Sequence, residues 1–190
     1  MTPQHIKSTV KLFFLAITFV AVAGVSASAQ GGGRLSAGAE IAVPLGGYLG
    51  NVGSIGIGGF AKWEQPIPSV PMLNWTAQTG FVYFPGSNYA GYKTNTTAVP
   101  FLGGVRYYFM DRFNGWYVSG DAGFTFFTSS YSRYDNSVDY YGYGSVTRFT
   151  FAPGGGYHIA NWDFSGRFVL QSDFSYLSLR AAYVWNKFGR

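Results

Sequence analysis

A site that hydrolyses or transfers an acyl group needs a base-activated nucleophile, and this chain offers little choice of base. Among its 190 residues there are two histidines, His5 and His158, and no cysteine. His5 lies in a segment that reads as a leader, so His158 is the one candidate base. It stands two residues before Ala160-Asn161-Trp162 and shares a phase with Arg148 and Thr150, where a structural role in a polar network fits it better than catalysis. One histidine, no thiol and scattered aspartates do not enclose a zinc ion. Pro153-Gly154-Gly155-Gly156 has the glycines of a phosphate loop, but no helix follows it. It reads as a bulge or corner in a strand, with a lateral opening for apolar molecules as the alternative. The residues therefore call for no cofactor, no metal and no enzyme.

Recognition chemistry is better represented. Between Ser129 and Gly144 lie Tyr131, Tyr134, Tyr140, Tyr141 and Tyr143, interspersed with Asp135, Asn136 and Asp139. Tyrosine among small polar residues makes an adaptable contact surface, as in antibody loops. The expected ligand of such a loop is a surface glycan or protein; the plainer reading is a cap over one end of the fold. A shorter segment carries Tyr89 and Tyr92 among Gly and Asn.

The remaining chemistry is charge, and its spacing shows which elements must position it. Glu40, Lys62, Glu64, Arg106, Asp121, Arg148, Asp163, Arg167 and Arg180 fall in eight segments that alternate with period two: 35–43, 54–64, 75–83, 99–109, 116–126, 148–159, 163–171 and 177–185. Every one of these charges lies on the same phase of its strand. The opposite phase carries Ile41, Ile57, Phe81, Phe101, Phe124, Phe149, Phe168 and Leu179. Phe60, Leu102 and Val169 break the rule by sitting on the polar phase. We therefore expect Glu40, Lys62, Glu64, Arg106, Asp121, Arg148, Arg167 and Arg180 to form an interior polar network, with Arg106, Arg167, Arg180, Glu40 and Asp121 at its centre. Charges of both signs in a sealed interior can pair, and one left unpaired would be costly.

Alternation by itself allows two barrels. An exported soluble, ligand-binding barrel puts the apolar phase inward; a membrane barrel puts it outward. Three features favour the second. Segments of nine to twelve residues suit a tilted membrane crossing. Trp63, Trp75, Trp116, Trp162 and Trp185 all fall toward one rim, as they do at a membrane–water interface. Connections alternate between turns (Pro66-Ile67-Pro68, 111–115, 161–162) and longer loops (44–53, 85–97, 129–144). Bare edges are forbidden in lipid, so eight such strands must close. A barrel of eight holds little beyond its own side chains, so a water pore is not expected.

The bulk numbers agree. Charged residues make up 11% and aromatics 20% of the chain, where ordinary soluble domains carry about 25% charge. Lys7 and Lys11 precede an apolar run, Leu12 to Val25, that closes on Ala27-Ser28-Ala29. These are the parts of a cleaved secretory signal, and the run is short for a spanning helix. We expect residues 1–29 to be the signal peptide and 30–190 the barrel domain. Lys7 and Lys11 leave with the signal, so thirteen basic residues fall to eleven against eight acidic ones. That balance does not point to nucleic acid.

At Val99-Pro-Phe-Leu-Gly-Gly-Val-Arg-Tyr-Tyr-Phe109 the chain resembles the small bacterial outer-membrane β-barrel proteins of the OmpX/OmpA-barrel type. The closing segment Tyr176-Leu-Ser-Leu-Arg-Ala-Ala-Tyr-Val-Trp185 resembles their last strand. The resemblance covers the mature chain. It implies an all-β, eight-stranded, antiparallel up-and-down transmembrane barrel in the outer membrane of a Gram-negative bacterium, a monomer with its N-terminus in the periplasm. Implied partners are outer-membrane lipid, lipopolysaccharide and the barrel-assembly machinery. Function is poorly specified by the resemblance, because this scaffold hosts many. Some members act on lipid A, but His158 falls at the turn end, away from the outer leaflet. Members often finish on an aromatic read by the assembly machinery; here Asn186-Lys187-Phe188-Gly189-Arg190 follows Trp185, which makes Phe188 that signal displaced or the recognition looser.

Overall fold

A strand whose two faces are apolar and charged can bury the charges only if its sheet curls until no edge is left. In the computed structural model this is what the chain does. The structure describes residues 32–47, 54–86, 88–89, 92–135, 138–172 and 174–185, with the backbone alone at 46–47, 88–89, 92–93, 131–135, 138–141 and 143. The expected leader, residues 1–29, and Phe188 lie outside the described residues.

Nine strands are formed by the described residues: β1 Arg34–Gly47, β2 Gly56–Pro66, β3 Leu73–Phe84, β4 Asn88–Tyr89, β5 Tyr92–Tyr108, β6 Gly115–Asp135, β7 Val138–Ile159, β8 Trp162–Val169 and β9 Phe174–Trp185. All pairings are antiparallel. β3 pairs with β5, and β4 is a two-residue arm on the outer end of β5. β1 pairs with β9, Glu40 opposite Arg180, and this joins the two ends of the sheet. The result is a closed eight-stranded antiparallel β-barrel. Among the described residues no helix is long and apolar enough to cross a membrane, which says nothing about crossing by strands.

The turn ends are tied down by side chains. Arg112 donates Nη2 to the Val70 carbonyl at 3.2 Å, linking the β2–β3 turn to the β5–β6 turn. Phe113 occupies the left-handed region at φ 71°. Arg34 lies 4.0 Å above its ring and donates to its carbonyl at 3.4 Å.

Two expectations need correction at the other end. The segments 85–97 and 129–144, expected as loops, are largely strand: β5 starts at Tyr92, β6 runs to Asp135 and β7 begins at Val138. β6 keeps its register with β7 from Gly115↔His158 to Asp135↔Val138. Its 21 residues reach about 70 Å, whereas a tilted crossing uses about 10 residues. The outer halves of β5, β6 and β7 therefore project as a sheet beyond the barrel. From Gly144 to Thr147 four successive residues are exposed, so alternation is lost where both faces are wet.

Pro153, the other irregular point, interrupts the β7–β8 ladder only locally. Gly154 pairs with Arg167 on one side of it, and Phe151 exchanges both backbone hydrogen bonds with Leu170 on the other, at the same register. On the β6 side Pro153 itself pairs with Gly120. The wall is closed on both sides of Pro153, and the lateral opening that was the alternative reading of this segment is not formed.

Candidate functional site

The phase of each strand decides what it presents. Ile57, Trp116 and Phe149 are each 62% exposed and Phe124 is 55% exposed, all on the apolar phase. Glu40, Lys62, Glu64, Arg106, Asp121, Asp163, Arg167 and Arg180 are all 7% exposed or less. The apolar rows face outward and the charges inward, which is the reverse of a soluble ligand-binding barrel.

In the turn half of the interior, charge converges on Asp163 of β8. Its Oδ2 accepts from Lys62 Nζ and Arg106 Nη1, each at 2.7 Å, and its Oδ1 accepts a short hydrogen bond from the Tyr117 hydroxyl. Lys62 comes from β2 and Arg106 from β5, each three strands from β8 around the wall. One carboxylate therefore braces the barrel across its bore in two directions. Arg106 also lies 3.3 Å from Glu64 Oε2, donates to the Tyr108 hydroxyl at 3.2 Å and stacks 3.7 Å over the Tyr117 ring. Glu64 in turn accepts from Asn74 at 2.9 Å. Hydrogen bonds from ionised groups in a protein interior are among the stronger protein contacts.

Midway along the bore the anchor is Glu40. Arg180 donates to its Oε2 through both Nη2 at 2.6 Å and Nε at 3.0 Å, two donors of one guanidinium converging on a single oxygen. Ser178 donates to Oε1 at 2.6 Å, and Arg167 Nη2 reaches it at 3.4 Å. Arg180 Nη1 continues to Gln78 Oε1 of β3 at 2.6 Å, while its guanidinium rests 4.0 Å over Phe60. This explains Phe60, which breaks the polar phase: it supplies a ring face for a buried cation. Asp121 accepts from Thr76 Oγ1 at 2.8 Å.

Of the eight residues expected in this network, seven are sealed inside. Arg148 is the exception. It is half-buried near the outer end of the bore, opposite Thr125 on β6. Sequence reasoning places Asp163, Gln78 and Ser178 on the right phase but does not single them out, and it passes over Tyr117. Their polar phase was the available signal; what they touch across the bore was not.

A further correction concerns the polar interior itself. Toward the loop end it gives way to Phe84, Phe127, Phe174, Tyr176, Val82 and Leu102, all 8% exposed or less. Phe84 meets Phe174 edge-on at 5.2 Å and Tyr176 at 5.6 Å. The barrel is filled by a charged plug at one end and an aromatic plug at the other. Leu102 and Val169, which break the polar phase, belong to the aromatic end.

His158 is 2% exposed and sits opposite Asp163 in the β7–β8 register, at the turn end. Among the described residues no group of three or more His, Cys, Asp or Glu is placed to hold a metal ion. Tyr131 and Tyr134 fall on the outer half of β6, and Tyr140, Tyr141 and Tyr143 on the facing half of β7. Their registers are Tyr131↔Gly142, Tyr134↔Asp139, Arg133↔Tyr140, Ser132↔Tyr141 and Ser130↔Tyr143. Their side chains lie outside the described residues.

These elements define a class: a small closed antiparallel barrel, apolar without and charge-paired within. Known structures share the fold. The attachment invasion locus protein Ail of Yersinia pestis aligns with a TM-score of 0.59 at 10% identity, covering 82% of this chain and 100% of Ail. A second structure of Ail, in complex with the heparin analogue sucrose octasulfate, aligns equally well. The N-terminal β-barrel domain of Pseudomonas aeruginosa OprF aligns with a TM-score of 0.51 at 11% identity, covering 82% of this chain and all of that domain. No protein-family profile matches the chain, and no curated protein matches it in sequence.

Proposed function

We propose that this chain is an integral outer-membrane β-barrel protein, exported with residues 1–29 as its signal, that supports the membrane and presents a Tyr-rich hairpin to the exterior. The reading rests above all on the outward apolar belt, with Trp75 and Trp116 more than half exposed on it. In water such a belt would drive aggregation; in lipid it is the stable arrangement. The barrel acts as a monomer held by outer-membrane lipid and lipopolysaccharide after insertion by the assembly machinery. No catalysis is assigned, because the candidate base His158 is sealed at the turn end. No nucleic acid or cofactor is part of the reading.

The contact surface is the projecting β6–β7 hairpin with Tyr131, Tyr134, Tyr140, Tyr141 and Tyr143, and its ligand is a surface glycan or protein. Sucrose octasulfate, bound by a protein of the same fold, is a rational first probe for the glycan case. The membrane reading is tested by the mobility in SDS of detergent-refolded protein, unheated against boiled. A shift on boiling is expected from an SDS-resistant barrel. No shift, with a protein that stays in solution without detergent, overturns the reading. Deletion of residues 132–142 tests the surface role: adhesion or glycan binding should fall while the heat shift persists, and unchanged binding would exclude the hairpin.

A further inference from the structure

We propose that His158 and the turn carrying Phe113 form a proton-operated latch, which closes the turn mouth of the bore at neutral pH and releases it in acid. The proposal goes beyond the surface role given above and does not depend on it. His158 is sealed on the inward phase of β7, and neither ring nitrogen has a hydrogen-bond partner among the described residues. A neutral imidazole leaves one donor and one acceptor unmet there, whereas a protonated one leaves two donors and a charge. In a sealed site the second state is much the costlier.

The groups around the ring offer it no counterion. Asp163 of β8 stands opposite His158 in register, but both its oxygens are taken, one by Lys62 and Arg106, the other by Tyr117. Glu64 of β2 is met by Arg106 and Asn74. Arg34 of β1 adds a third cation within electrostatic reach of the ring. Tyr108 of β5 and Tyr117 of β6 are phenols; β3 contributes Asn74 and β9 contributes Ala182 and Val184, none of them ionisable. An imidazolium would be a fourth cation against two carboxylates. Of all these groups, His158 is the one that ordinarily titrates near neutrality.

What holds the mouth shut is slight. Phe113 occupies the left-handed region at φ 71°, a strained conformation for a residue with a large side chain. Arg34 keeps it there, with its guanidinium 4.0 Å over the ring and Nη1 donating to the carbonyl at 3.4 Å. The Phe113 ring also meets Tyr108 edge-on at 6.1 Å, so it lies across the mouth between β5 and β1. The same carbonyl is within reach of the His158 ring, and Gly115, two residues on, pairs with His158 in the β6–β7 register. Protonation therefore places a second cation beside the carbonyl that Arg34 holds. The two repel, Arg34 loses its grip, and Phe113 relaxes out of the left-handed region, which lets water reach the imidazolium. In the membrane orientation proposed above, this mouth faces the periplasm.

The test follows amide exchange in the detergent-refolded barrel at about pH 7.5 and about pH 5.5, either side of the ordinary imidazole pKa of about 6.5. Exchange is expressed as protection relative to an unstructured amide at the same pH. The reporter is the Asn114 amide, which bonds the Asp111 carbonyl at 3.0 Å within the turn. A ring that takes its proton only when the mouth is open raises the open population about tenfold over that interval. Asn114 protection should therefore fall about tenfold in the parent. It should stay constant in His158→Gln, whose side chain is neutral at both pH values. The Phe151 amide, bonded to the Leu170 carbonyl at 3.1 Å well up the wall, should respond in neither protein. Constant Asn114 protection in the parent overturns the proposal, as does an equal fall in His158→Gln. An equal fall at Phe151 overturns it too, because the whole barrel would then be loosening. Should His158→Gln lose the heat shift of the folded barrel, His158→Phe is read by the same criteria.

Discussion

Asp163 gathers two cations and a phenol on one buried carboxylate, so its removal should be felt more than that of Asp121. Asp163→Asn keeps the shape but leaves Lys62 and Arg106 with too little negative charge in a sealed bore. Breaking a buried pair in this way costs about 3–5 kcal/mol. Asp121 accepts from Thr76, and loss of a buried hydrogen-bond partner costs about 1–3 kcal/mol, so Asp121→Ala should be the milder change. Urea unfolding in lipid vesicles checks the order: equal midpoints for the two variants would contradict the bracing role of Asp163. At this scale the sequence was legible only in part. Period-two spacing assigned every charge to a phase, and Glu40, Lys62, Glu64, Arg106, Asp121, Arg167 and Arg180 are indeed buried. Which of them meet depends on how the sheet curls, and Lys62 and Asp163, 101 residues apart, share no local signal. Arg148 has the inward phase too, but its strand has by then risen to the mouth of the bore, where phase no longer means burial.

Elements differ in how much of themselves they write into the sequence. β8 and β9 are bounded closely by their alternation, because one face is apolar and outward and the other inward along their whole length. β6 and β7 are longer than their alternating stretches, since above the belt both faces are wet and Ser, Tyr and Gly replace the apolar row. Strand closure also depends on small residues. Gly104 of β5 faces inward opposite Asp121, and a Cβ there would run into the Gly120 carbonyl and the Asp121 side chain. Gly104→Ala should therefore strain the β5–β6 pairing by about 1–3 kcal/mol, the usual range for overpacking. At the loop end the elements are held by rings rather than charges. Phe84→Ala removes the ring that meets both Phe174 and Tyr176, and truncating a buried Phe costs about 3–5 kcal/mol. Its loss should loosen the outer ends of β3 and β9, read as faster amide exchange there. Exchange unchanged at Val82 and Tyr176 would mean the aromatic plug does not clamp these strands.

For the whole molecule the decisive question is what solvent the outer face meets, because the same closed sheet would behave oppositely in water and in lipid. Ala122 sits on the outward phase of β6, midway between the exposed Trp116 and the exposed Phe126, with Phe124 and Phe151 beside it. Ala160 lies in the β7–β8 turn and is also exposed. In a bilayer, Ala122→Arg places a charge near the midplane, which costs about 2–4 kcal/mol, whereas a charge at the interface costs about 0–1 kcal/mol. Ala160→Arg, outside the tryptophan rim, should therefore be nearly neutral. Both residues are small and exposed, so packing changes alone cannot separate the two variants; the depth of the membrane can. Reversible unfolding from lipid vesicles measures the difference directly. Were the two variants equally stable, the belt would not be buried in lipid, and the exposed Ile57, Trp116, Phe124 and Phe149 would need another partner. A gap of about 2 kcal/mol or more in the expected direction would fix the barrel's depth in the membrane. It would put the outer halves of β6 and β7 beyond the lipid.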